Sequence, residues 1–127
     1  MRLVVEVGIR VRSLNAERSA NRWDRASAVA DERWTAKIEA REEMRKQGLT
    51  ARPLMDMVRV EVFPWVLNRR YRQDIANCYP SVKACIDGFV DARMILDDDD
   101  THLRAITFRP HQFGRDALVL VVTEVIP

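Results

Sequence analysis

The chain has 127 residues, about the size of one domain and long enough to bury a core. Hydrophobic residues make up 47% and charged residues 31%, a soluble globular balance, and no run approaches the roughly 18 apolar residues of a membrane span. Net charge is +2, yet four of the nineteen acidic residues are consecutive, Asp97 to Asp100, and without them it would be +6. A polyanion would be drawn to the body and repelled at this spot, unless a cation occupies it.

Leu3, Val5, Val7, Ile9 and Val11 alternate with Arg2, Glu6, Gly8, Arg10 and Arg12, which predicts a strand over 2–12 with one buried face. Charges inside this run make it a poor signal peptide. Ser13-Leu14-Asn15 is expected to close it. A helix follows over 19–47, with Ala20, Trp23, Ala30, Trp34, Ile38 and Met44 as an irregular apolar stripe and Gly48 as its stop. The next strand spans 55–66, with Val58, Val60, Val62 and Pro64 on one face. Pro64 implies that the strand ends there or lies at an edge. Trp23, Trp34 and Trp65 are expected as core or interface anchors rather than base platforms.

Asn68 to Gln73 form a basic stretch around Tyr71, which is expected to pack rather than stack on a base. A second helix starts near Pro80, a residue suited to a first turn, and runs to about Ala92, burying Val82, Cys85, Ile86, Phe89 and Val90. Cys78 and Cys85 stand about 10 Å apart along it, too far for a disulfide, so free thiols and a cytoplasmic setting are expected. A strand over 102–109, a loop over 110–115 and a strand over 117–126 complete the chain. The order β-α-β-α-β-β predicts an α+β fold in a single domain, 1–127. One mixed sheet would be covered by two helices, and the last two strands would form a hairpin.

Four adjacent aspartates repel one another and are costly to bury unpaired. Either they form a solvated loop, or one or two of them share a divalent cation with another carboxylate. Magnesium takes such hard oxygens and keeps several waters. Asp97 and Asp98 follow the apolar Ile95-Leu96 and are better anchored than Asp99 and Asp100. Asp74 is either a turn aspartate or the other carboxylate. Asn77, three residues on, caps the helix or orders the loop. Lys83 recurs with Asp87 and Asp91 at four-residue spacing, either as a solvent-side helix pair or as a lysine beside a metal that contacts a phosphate. His102 and His111 lack zinc spacing, and without a Gly-rich loop no nucleotide cofactor is expected.

Residues 74–103, DIANCYPSVKACIDGFVDARMILDDDDTHL, resemble the RusA-like Holliday junction resolvases, in particular divergent actinobacterial and phage members. Asp74 matches the first aspartate of their Asp-x-Asp-Asn motif and Asn77 its asparagine. Lys83 matches the helix lysine, Asp87 the helix aspartate, and Leu96-Asp97-Asp98 the Leu-Asp-Asp step. Ser13-Leu14-Asn15 and Thr123-Glu124 are similar to further pieces of the pattern. The resemblance implies a homodimeric RusA-like endonuclease that resolves four-way DNA junctions by paired phosphodiester hydrolysis, leaving 5′-phosphates. Asp74 and Asp98, supplemented by Asp97, would hold Mg2+ or Mn2+, and Lys83 would stabilise the transition state. Arg69, Arg70, Arg72 and Asn77 would contact DNA. One departure stands out: the second motif aspartate is Ala76, which cannot ligate a cation. Either Asp99, Asp100 or Glu61 replaces it, or water fills its place, or the protein binds branched DNA with little or no cleavage.

Overall fold

Alternation makes the first element. In the computed structural model, which describes residues 1–126, strand β1 (Arg2–Val7) buries Leu3, Val5 and Val7 and turns Arg2, Val4 and Glu6 outward. Pairing stops at Val7, short of the expected Arg12, although Val11 is still buried. Ser13 opens a helix instead of closing a strand: its hydroxyl accepts from the Ala16 N–H at 3.0 Å and caps α1 (Leu14–Ser19). Asn21 caps α2 (Arg22–Lys46) in the same way, accepting from Asp24 N at 2.8 Å. The single helix expected over 19–47 is therefore preceded by a separate short one.

Helix α2 stops at Gly48 as the sequence predicts. Gly48 takes φ +67°, its N–H reaches Arg45 O at 3.0 Å, and Leu49 N reaches Met44 O at 2.9 Å, closing the last turn onto its own carbonyls. Its buried face, however, is Glu32, Ala36, Ala40 and Met44. Trp23 and Trp34 are 74% and 60% exposed, so neither is a core anchor. The reason lies in the neighbouring helix α3 (Tyr79–Asp91), where a Cβ added at Gly88 would stand 2.4 Å from Arg33 O and 2.9 Å from Ala36 Cβ. The two backbones approach so closely that only alanine-sized residues fit between them.

Strand β2 (Val58–Val66) turns Val58, Val60, Val62, Pro64 and Val66 inward. It neither ends at Pro64 nor lies at an edge. On one side it pairs with β5 (Ala117–Glu124) along nearly its whole length. On the other it pairs with β3 (Leu103–Phe108) as far as Val62, and with the two-residue β4 (Gln112–Phe113) from Trp65. At Phe63 and Pro64 only β5 is a ladder partner, so an imino nitrogen is tolerated there.

The protein is a single α+β domain with one mixed sheet in the order β1-β5-β2-β3, β4 also pairing with β2. The expected hairpin of the last two long strands does not form. Strand β2 lies between β3 and β5, parallel to the first and antiparallel to the second. Parallel neighbours need a crossover, and α3 supplies it between β2 and β3. Leu3, Val5, Val60, Val62, Leu118 and Leu120 from the sheet join Met44 and Phe89 in one core. No helix among the described residues is long and apolar enough to cross a membrane.

Candidate functional site

Helix α3 sets the position of both loops singled out by sequence. Its buried residues are those expected, Val82, Cys85, Ile86 and Phe89 among them, with Val90 half-buried. Cys78 and Cys85 are buried free thiols; burial pushes Cys78 up to about 11 and Cys85 higher still. The helix ends in a tight reversal in which Arg93 takes φ +63°, and Arg93 N and Met94 N reach Val90 O and Phe89 O at 3.0 and 3.1 Å. Met94 and Ile95 then enter the core, and Leu96 N donates to Met55 O at 3.0 Å. This anchor returns Asp97 and Asp98 along the helix.

Lys83 Nζ donates to Asp87 Oδ1 at 2.7 Å and also to Asp98 Oδ2. The Asp98 N–H donates to Asp97 Oδ1 at 2.7 Å, which fixes the two loop carboxylates relative to each other. The hydrogen bond from Lys83 holds the Asp98 carboxyl below its ordinary range, against a smaller opposing effect of burial. Burial pulls the Lys83 ammonium down, but its bonds to Asp87 and Asp98 outweigh that and raise it. Lys83 and Asp98 thus form an ion pair at neutral pH, with the carboxylates of Asp87 and Asp97 beside it.

Asp99 is occupied locally, its Oδ1 accepting from Thr101 N and His102 N at 3.1 Å, while Asp100 is exposed. Glu61 is engaged elsewhere. It lies on β2 and accepts from Arg109 Nε at 2.6 Å. Asp74 is exposed on the approach to α3, its carbonyl accepting from Asn77 N at 3.0 Å. Among the described residues, no three His, Cys, Asp or Glu side chains converge where they could hold a metal ion. Asp74, Asp97 and Asp98 therefore do not make a preformed three-carboxylate cage. The donor set still suits a hard cation shared with substrate. Magnesium is commonly held by one or two carboxylates plus phosphate oxygens, and Asp97 and Asp98 are the residues here that could supply such carboxylates.

Asn77 serves as a tether, its backbone oxygen and Oδ1 both accepting from Leu14 N at 3.0 and 3.2 Å. Next to it Ala76 takes φ +67°, a conformation that costs an alanine about 1 kcal/mol. Of the basic stretch, Arg69 lies over the Phe113 ring at 4.9 Å. Arg70 donates to Tyr71 Oη at 2.7 Å, and Arg72 is exposed. Tyr71 packs against the core, as expected, and its ring is met by Arg70 and Arg10.

A buried network escaped the sequence reading. Arg12 donates to Glu32 Oε1 through Nε at 3.0 Å and Nη2 at 2.7 Å, and Ser81 Oγ donates to Glu32 Oε2 at 2.8 Å. Ser81 Oγ in turn accepts from Arg12 N at 2.8 Å. This joins the segment after β1 to α2 and α3. A glutamate among arginines on an exposed-looking helix gives no signal of burial. Arg10 was equally hidden, being only an outward position in an alternating strand.

No known protein-family model matches this chain, and no curated protein matches it. Fold and site geometry therefore carry the functional reading.

Proposed function

We propose that the protein is a divalent-metal-dependent endonuclease for branched DNA, a RusA-like resolvase acting as a cytoplasmic homodimer. The observation that carries this reading is the convergence of Lys83 and Asp98, 15 residues apart in the chain, beside Asp97 and Asp87. Those are residue types that phosphodiester hydrolysis needs at one point: hard oxygens for a cation and an ammonium for developing charge.

A bound Mg2+ or Mn2+ would lower the pKa of a water and neutralise charge on the attacked phosphate. Asp98 and Asp97 would hold it, and Asp74 is the further carboxylate that the resemblance supplies. Lys83, released from Asp98 by the cation, would turn its ammonium toward the phosphate and stabilise the transition state. Arg69, Arg70 and Arg72 would place the DNA backbone without reading its sequence. A two-fold dimer would offer one site to each of two opposed junction strands, leaving a 5′-phosphate at each cut.

A second reading is favoured by the missing third ligand: Ala76 stands where the resembling family has an aspartate, and no three-donor group converges among the described residues. On that reading the protein binds branched DNA and cuts weakly or not at all. Incubating a four-way junction and a linear duplex with the protein, in magnesium, in manganese and in chelator, separates the two. Paired nicks that require metal, prefer the junction and vanish in Asp98→Asn and Asp74→Asn support the nuclease. Junction-selective binding with no nick in any metal supports the second reading.

A further inference from the structure

A basic pocket of about 290 Å3 lies between the end of β1 and the 3₁₀ turn Arg69–Tyr71, lined by Arg10, Arg70, Tyr71, Arg72, Gln73 and Asp116 among others. Among the described residues, none of its three guanidiniums has a carboxylate within ion-pairing distance, and here three such guanidiniums share one pocket. Two of the three are held by an aromatic ring instead. Arg10 and Arg70 lie over Tyr71 at 5.3 and 4.8 Å from its centroid, and Arg70 also donates to its hydroxyl. A ring orients a guanidinium without neutralising it, so these cations keep their charge for something else. Three like charges face one acid, Asp116, in a partly enclosed space. Gln73 also lines the pocket, and its buried Oε1 receives no hydrogen bond among the described residues.

We propose that this pocket binds a phosphomonoester, the terminal phosphate of a nucleic-acid strand. Arg10, Arg70 and Arg72 would surround the anion. Arginine forks match phosphate oxygens, and three of them suit a dianionic end better than a singly charged internal diester. The proposal requires neither metal nor Lys83 and Asp98, and it gives Arg70 and Arg72 a terminal phosphate beside the backbone contacts of the nuclease reading.

The test is fluorescence anisotropy in chelator, so that no metal-dependent cutting interferes. Matched short single strands would carry a 5′-phosphate, a 3′-phosphate or only hydroxyl ends. The full-length protein is expected to bind a phosphorylated end about tenfold more tightly than its hydroxyl twin, with inorganic phosphate competing away the difference. The two phosphorylated strands show which end is taken. Arg10→Gln and the exposed Arg72→Gln should each erase the preference while melting like the parent protein. Equal affinity for phosphorylated and hydroxyl strands overturns the proposal. So does a preference that survives in Arg72→Gln, whatever the fate of the Arg10 variant. Competition by inorganic phosphate with no preference for any strand end would mean an adventitious ion only, and would overturn it as well.

Discussion

Lys83 holds two carboxylates at once, Asp87 one turn on in its own helix and Asp98 in the loop beyond it. The first contact is a local helix pair that any exposed lysine makes. The second exists because α3 ends in a reversal at Arg93 that buries Met94 and Ile95 and brings the aspartate run back along the helix. Asp97, Asp99 and Asp100 of the same run stay exposed.

This lock has a pH signature. The Asp98 carboxyl is held below its ordinary value, so its contribution to stability is complete above the unfolded value near 3.8 and disappears as pH falls through the folded one. Lys83→Met should return the Asp98 titration to its ordinary range or above it, read by NMR. The stability gap between parent and variant, under about 1 kcal/mol for so exposed a pair, should be constant near neutrality and shrink below about pH 3.8. An unmoved Asp98 titration would mean that the two groups do not meet in solution.

Gly88→Ala tests the close approach of α2 and α3. In an exposed helix the change would stabilise by about 1 kcal/mol. Here the new methyl would stand 2.4 Å from a backbone oxygen, Arg33 O, which cannot swing aside. A loss of about 1–3 kcal/mol is expected from urea unfolding, with the helices pushed apart. A more stable variant would contradict the packing.

The Arg12–Glu32–Ser81 network should behave as a unit. Glu32→Ala leaves a largely buried guanidinium without its main partner and should cost about 3 kcal/mol. Ser81→Ala strands Glu32 Oε2 and Arg12 N and should cost about 1–3 kcal/mol. The double variant should lose clearly less than the two separate losses together, since each removes part of what the other needs. Strict additivity in denaturation would deny the coupling.

These cases also show what the sequence disclosed. Strand faces were legible from alternation alone, because Leu3, Val5 and Val7, or Val58, Val60 and Val62, each need only one covered side. Helix α3 was legible from its 3.6-residue stripe and the Lys83–Asp87 pair from spacing on that helix, but the Lys83–Asp98 contact depends on the reversal at Arg93. The buried face of α2 was not. Its burial of Ala36 is set by the close approach of Gly88, about fifty residues away in the chain. Sheet order was hidden for a related reason. The strand 103–108 has the same pattern whether it pairs with β2 or β5, and only the crossover through α3 decides. Arg10 and Arg70 meet on one tyrosine although 60 positions separate them, a coincidence that no local pattern encodes.

Ala76→Asp addresses the departure from the resembling family. The turn should accept the change, since aspartate tolerates the φ of +67° found there at least as well as alanine does. If a vacant ligand position limits turnover, metal-dependent junction cutting should rise or the metal requirement relax. Unchanged cutting in a stably folded variant would show that position 76 does not face the reacting phosphate.

The most direct measurement is the single-turnover rate of four-way-junction incision in manganese, comparing the parent protein with Asp98→Asn at saturating, equal binding. The account predicts paired cuts by the parent and a rate at least about a hundredfold lower for the variant, the scale expected when one group stabilising the transition state is lost. Equal rates, or no incision by the parent protein in any divalent metal, would contradict it.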